Sequence, residues 1–167
     1  NPDNDIFCKE YTLTTTDISY TCVIEGKEEF FKIPTLGEHN ILNAMCAIII
    51  GLELGLSIED IKRGLSTYTA TGMRLDIIKD EKYTIINDCY NASPDSMKAS
   101  LKVLNTFISR KVAILGDMFE MGDMAEIGHR QVGPAVVENT DLLITIGNDS
   151  KLIGDEAISL GFDKEKV

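Results

Sequence analysis

Apolar and polar positions change rhythm along this chain. Within residues 6–33 the period is two: Ile18, Tyr20, Cys22 and Ile24 alternate with polar neighbours, as in a half-buried strand. Glu25-Gly26-Lys27-Glu28 supplies a turn, and Phe30-Phe31-Lys32-Ile33 resumes a strand that Pro34 ends. From about Asn40 to Leu54 the spacing becomes helical, through Ile41, Met45, Ile48 and Leu52. Further apolar residues surround these, so the predicted helix is buried on most sides and Cys46 reads as a small core residue. Gly55 stops it. Ser57 and Asp60 stand like a capping box before a second helix, whose apolar stripe is Ile58, Ile61 and Leu65. Residues 66–73 carry no periodicity and read as a linker.

Beyond the linker, strands and helices alternate. The pattern predicts a hairpin of 75–78 and 83–86 around Asp80-Glu81, a helix over 93–107 and a short buried strand over 111–115. A helix over 125–138, an apolar strand over 142–146 and a helix over 150–160 closed by Gly161 follow. Such alternation implies βαβ units and a mainly parallel sheet, hence an α/β fold class. Ligands of these sheets gather beyond the carboxyl ends of the strands. Three strand ends therefore matter, at 87–91, 116–118 and 147–149. Two different sheet systems in 167 residues imply the end of one domain joined to the start of another.

Composition narrows the function classes. A net charge of −11 is unsuited to gripping a nucleic-acid backbone or an anionic membrane surface, both of which need clustered Lys and Arg. The longest apolar run, Ala44 to Leu52, is far shorter than the roughly 18 residues a membrane span needs and contains Gly51. The chain opens at Asn1 with no secretory-type segment. Cysteines at 8, 22, 46 and 89 show no C-x-x-C spacing and have two histidines beside them, so no metal site is expected; they read as free thiols of a reducing cytoplasm.

Four stretches can carry chemistry. In Asp88-Cys89-Tyr90-Asn91-Ala92-Ser93-Pro94-Asp95-Ser96, Ser93 can cap a helix, Pro94 suits its first position and Asp95 favours its positive end. Capping leaves Asp88, Tyr90 and Asn91 unexplained, and a carboxylate there can hold a ribose hydroxyl pair. In Gly37-Glu38-His39-Asn40-Ile41-Leu42-Asn43, Asn40 and Asn43 share one face of a helix start. They suit a base or a phosphate, or Asn40 is simply the cap. Arg74, after Gly72-Met73, is either a solvated charge or a phosphate ligand. Gly116-Asp117-Met118-Phe119-Glu120-Met121-Gly122-Asp123, with His129 downstream, is either a solvated loop or a site for an amine or metal. The sequence has neither a G-x-x-x-x-G-K-[ST] phosphate loop nor a G-x-S-x-G elbow.

Together these stretches resemble the Mur ligase family, which builds the peptide stem of the bacterial cell wall. The resemblance rests on Gly37-x-His39-Asn40-x-x-Asn43-Ala44, Gly72-Met73-Arg74-Leu75, Asp88 through Met97, and Leu115-Gly116-Asp117-Met118-x-Glu120-Met121-Gly122 with His129 and Val132-Gly133 following. It runs from about residue 30 to about residue 150, and Asp88-Cys89-Tyr90-Asn91-Ala92 is similar to the branch that handles a dipeptide. It implies that residues 1–70 are the C-terminal part of a central ATP-binding domain and 71–167 an incomplete Rossmann-like C-terminal domain with a mainly parallel sheet. It implies a cytoplasmic ATP-dependent ligase of peptidoglycan synthesis. ATP with Mg2+ would activate the carboxylate of UDP-N-acetylmuramoyl-tripeptide as an acyl phosphate, which the amine of D-alanyl-D-alanine attacks. In that picture His39, Asn40 and Asn43 face the adenine, Arg74 reaches the phosphates, Asp88 holds the ribose, and Tyr90 and Asn91 line the nucleotide edge. Ser93, Asp95, Ser96, Asp117 and Glu120 fall on the dipeptide side, and Ser93 stands where the family often has Asn, another capping residue. The phosphate loop and magnesium carboxylates lie in parts of the family that this sequence does not include, so the isolated chain is expected to be inactive. The alternatives are a related ligase adding a single amino acid and a non-catalytic nucleotide-binding module.

Overall fold

The computed structural model of the chain describes residues 5–167. The chain divides into two compact units between Thr71 and Gly72.

The first unit is an antiparallel meander with two helices. Strands β1 (Ile6–Leu13), β2 (Ile18–Ile24) and β3 (Lys27–Ile33) pair in sequence order. The period-two reading of β2 holds: Ile18, Tyr20, Cys22 and Ile24 are all buried. The β2–β3 turn is tighter than the sequence reading, with Glu25 (φ 48°) and Gly26 (φ 78°) as its two central residues and β3 already begun at Lys27. Positive φ at both positions is the turn whose twist matches antiparallel strands. Helices α1 (His39–Glu53) and α2 (Ile58–Ser66) cover the inner face. Ile41, Ala44, Ile48 and Ile61 complete a core around the stacked rings of Tyr20 and Phe31, whose centroids are 5.5 Å apart. Ile48 is fully buried there. Truncating such a residue to Ala typically costs about 2–5 kcal/mol.

Two expectations for α1 are corrected. The helix is buried along one stripe, while Leu42, Ile49 and Ile50 are exposed. Cys46 belongs to the exposed side and is not a core residue. A three-stranded sheet and one short helix are wide enough to cover only one face of a 15-residue helix.

The second unit begins with a hairpin, β4 (Asp76–Lys79) and β5 (Thr84–Asn87). Helix α3 (Pro94–Asn105) leads to β6 (Val112–Gly116). The crossover to β7 (Leu142–Ile146) runs through a 3-10 turn (Gly122–Met124), α4 (Ala125–Arg130) and α5 (Gly133–Asn139), and α6 (Lys151–Ser159) follows β7. β6 and β7 are parallel and in register, from Val112 opposite Leu142 to Gly116 opposite Ile146. The core of this unit contains Met97, Leu101, Ala113, Val132, Val136, Leu143 and Ile153.

Three readings of this half are refined. The parallel sheet comprises β6 and β7, and β5 pairs with β4 alone among the described residues. Strand β6 is buried on one face only: Ala113 points into the core, whereas Val112 and Ile114 are exposed, as are Ile144 and Ile146 on β7. The single helix expected over 125–138 is two helices. Pro134 lies in the first turn of α5, where its missing N–H is harmless, but the same residue cannot continue α4.

Candidate functional site

The first cluster forms around the residue that follows β5. Met73 (φ 65°) and Leu75 (φ 49°) flank Arg74, and both occupy the left-handed region. An L residue held there costs roughly 1–2 kcal/mol. Contacts on the same segment offset this. The Leu75 side chain is buried, and its N–H donates to Asp88 Oδ1 at 3.1 Å. The Met73 carbonyl accepts from the Tyr90 N–H at 3.2 Å. The Arg74 guanidinium lies over the Tyr90 ring, 4.3 Å from its centroid. The second oxygen of Asp88 accepts from the hydroxyl of Ser100 on α3. The fold thus brings together Arg74, Asp88 and Tyr90, which the sequence carries in two separate stretches.

The next residues are mostly committed to the start of α3. Asn91 Oδ1 accepts from the Ala92 N–H at 2.9 Å. Ser93 caps the helix as its sequence position predicts, with Ser93 Oγ accepting from the Ser96 N–H at 3.3 Å and Ser96 Oγ accepting from the Ser93 N–H at 2.9 Å. Serine here does the reciprocal work usually given to Glu or Gln. Asp95 is exposed and pairs with Lys98 at 2.7 Å, which holds its carboxyl below the usual carboxylate range.

The second strand end, after β6, is arranged differently. Asp117 Oδ1 accepts from the N–H groups of Asp149 (3.0 Å) and Ser150 (2.7 Å), and Oδ2 accepts from that of Asn148 (3.0 Å). These bonds, the one from Ser150 foremost, hold the Asp117 carboxyl below its ordinary pKa. The carboxylate thereby ties down the three residues that lead into α6, the last of them its N-cap position. Gly147 (φ 129°) permits this approach, because a Cβ there would stand 2.2 Å from Asp117 Oδ1. His129 is fully buried and pins the same loop. Its Nε2 accepts from the Met118 N–H at 2.9 Å, which requires the Nδ1–H tautomer, and Nδ1 donates to the Ala125 carbonyl at 2.6 Å. Glu120 is exposed at φ 61°.

In the first unit, Asn40 is not the cap. The helix opens at His39, which is exposed, and its N-cap position is Glu38. The Asn40 amide instead reaches back, donating to the Leu36 carbonyl at 2.7 Å. The Asn43 amide donates to Asn40 Oδ1 at 2.9 Å, so the two amides do share one face and are linked. Among the described residues no group of three His, Cys, Asp or Glu is arranged to hold a metal ion.

Sequence reasoning missed the supporting residues. Ser100 and the Met118 partner of His129 lie 12 and 11 residues from the groups they hold, and no local pattern links them. The Arg74–Tyr90 contact is equally hidden, since no local pattern joins the two stretches that carry them.

Chemically, the first cluster offers an exposed cation held over an aromatic ring, and a carboxylate that bonds the next residue's N–H and has accepting capacity left over. That pairing suits a ligand with both phosphates and vicinal hydroxyls. The second strand end offers less, since three backbone N–H groups already occupy most of its carboxylate's accepting positions.

Comparison with known proteins supplies the context. Residues 73–166 match the family model described as Mur ligase, glutamate ligase domain. The chain is 42% identical over 148 residues to the UDP-N-acetylmuramoyl-tripeptide–D-alanyl-D-alanine ligase of Bacillus subtilis, covering 86% of this chain and 32% of that protein. The fold is similar to a crystal structure of MurF from Acinetobacter baumannii, with a TM-score of 0.88 and 30% identity over 93% of this chain and 35% of that one. It also resembles the MurF ligase of Thermotoga maritima solved in complex with ADP, at a TM-score of 0.78 over 89% of this chain and 35% of that one; at 19% identity that likeness concerns the fold alone. The chain spans about a third of the length of the curated relatives it matches.

Proposed function

The chain belongs to the Mur ligase family, and from that premise we propose that it forms part of an ATP-dependent amide ligase joining D-alanyl-D-alanine to UDP-N-acetylmuramoyl-tripeptide. The observation that carries this reading is the convergence of Arg74, Asp88 and Tyr90 on one face of the second unit. The identity with the Bacillus subtilis enzyme supports the choice of acceptor. The setting is bacterial peptidoglycan precursor synthesis in the cytoplasm. No helix among the described residues is long and apolar enough to cross a membrane.

Bound ATP supplies the phosphoryl group that activates the tripeptide carboxylate toward the dipeptide amine. Arg74 binds its phosphates through the guanidinium edge, a charge-assisted contact. Asp88 holds the ribose hydroxyls through the lone pairs left free by Leu75 and Ser100. Asn91 lines the nucleotide edge. In the first unit His39, Asn40 and Asn43 offer contacts to a base, with the Asn40–Asn43 hydrogen bond fixing the amide orientation. On the dipeptide side, Asp95 and Glu120 have the most accessible carboxylates. Ser93, Ser96 and Asp117 act there through the loops they shape. The magnesium that the family implies finds no ligand cluster among the described residues, and none is assigned here.

The test is phosphate release by the full-length protein, with UDP-N-acetylmuramoyl-tripeptide and either D-alanyl-D-alanine or single amino acids. Release with the dipeptide alone is expected, and Arg74→Ala lowers it about a hundredfold, the usual loss when a donor to developing charge is removed. Release with a single amino acid instead would move the protein to another branch. The 167-residue chain by itself is expected to show no turnover, since its sequence has no phosphate loop.

A further inference from the structure

Resting on the ligase reading, we infer that Tyr90 is a positioning residue for Arg74, rather than a group that lines the nucleotide. A cation over an aromatic ring is attracted to its face, and an arginine does this while keeping its in-plane N–H donors free. That is the situation here, with the guanidinium 4.3 Å from the ring centroid. The tyrosine ring covers the face of the cation and leaves its edge for phosphate oxygens.

The backbone makes the stack specific. Met73 and Leu75 both hold positive φ, and the chain turns and bends through Arg74. Tyr90 fastens the first of these residues by donating its N–H to the Met73 carbonyl, and Asp88 fastens the second by accepting the Leu75 N–H. One residue, Tyr90, therefore contributes both a backbone anchor and the platform for the side chain between the anchors. An exposed arginine without such a platform samples many rotamers and must be ordered when the ligand arrives. Tyr90 is itself 60% exposed, more than a residue serving only to fill a core would be.

Two measurements test this. The first is the proton spectrum of Arg74 in the chain itself. Ring current from Tyr90 shifts the Arg74 Hδ signals upfield, and Tyr90→Leu returns them to the position of an unstacked arginine. The second is turnover by the full-length protein. Tyr90→Leu lowers kcat/KM for ATP about threefold to fivefold, the fold-change equivalent of an exposed cation–π contact. KM for D-alanyl-D-alanine stays in place, a split that general loosening of the domain would not give. Tyr90→Phe, which keeps the ring, rescues most of the loss. Unshifted Arg74 signals in the unmutated chain would overturn the proposal, and so would equal losses in the Leu and Phe variants. A full-length protein with no ATP-dependent turnover under any acceptor would overturn the ligase reading, and with it the catalytic sense of the proposal. The ring-current shift then separates that result from a missing Arg74–Tyr90 contact.

Discussion

Asp88 and Asp117 stand in equivalent places, each the residue after a strand, yet the chain uses them differently. Asp88 follows β5 and takes one backbone N–H from Leu75 and one hydroxyl from Ser100. Asp117 follows β6 and takes three backbone N–H groups, from Asn148, Asp149 and Ser150. A carboxylate has about four accepting positions, in two oxygens. The first carboxylate keeps capacity and lies beside a cation stacked on an aromatic ring; the second closes the start of a helix. A strand-end carboxylate therefore keeps accepting capacity or gives it to backbone according to what faces it, and the residue type alone does not decide.

The sharpest way to break that contrast is to truncate each carboxylate in the full-length protein. On the proposed role of Asp88, Asp88→Ala is expected to lower kcat/KM for ATP about a hundredfold, because it would remove a ribose contact and release the Leu75 N–H together, each a hydrogen bond to a charged group. Asp117→Ala is expected to act first on the unfolding midpoint, since it strips three N–H groups of their acceptor. An Asp117→Ala protein that is fully folded and has lost ATP turnover as deeply as Asp88→Ala would erase the distinction.

A smaller effect sharpens the second half of the comparison. His129 is fully buried and bonds the loop that carries Asp117 to α4. His129→Ala leaves the Met118 N–H without its partner and opens a cavity. The expected loss is about 2–3 kcal/mol in the unfolding free energy of the second unit, read from urea titration of signals belonging to that unit. A change below about 0.5 kcal/mol, the range of ordinary surface substitutions, would make the loop independent of the pin.

The contrast also marks what the sequence can tell. The inner face of β2 is legible because period two in Ile18, Tyr20, Cys22 and Ile24 has one structural meaning. The cap at Ser93 is legible because its partner is three residues away. The burial of α1 is not, because apolar residues all round a helix say nothing about which side the same chain covers. The break between α4 and α5 is written in Pro134, but a continuous apolar rhythm masks it. Asp117 is the hardest case. Its partners lie 31 to 33 residues further on, and only the parallel pairing of β6 with β7 brings them to it. For the same reason the sequence offers Arg74, Asp88 and Tyr90 as candidates, while the groups that orient them, Ser100 and the Met73 carbonyl, are not legible in it.

Protonation gives the mildest form of the comparison. The three N–H bonds hold the Asp117 carboxyl below its ordinary value, so its pKa is lower in the folded than in the unfolded chain. A group of this kind stabilises fully above the unfolded pKa, near 4, and the contribution fades as pH falls toward the folded value. The unfolded chain binds more protons in that window, so stability rises with pH across it. Asp17, Asp60 and Asp95 are depressed in the same direction and add to the slope, which is why the acid limb is best read as a difference between two proteins. Asp117→Asn should be less stable than the unmutated chain at pH 7, and the gap between their urea midpoints should narrow as pH falls below about 4 and the native carboxylate is protonated. A gap that stays constant through that range would mean that Asp117 caps α6 by shape rather than by charge.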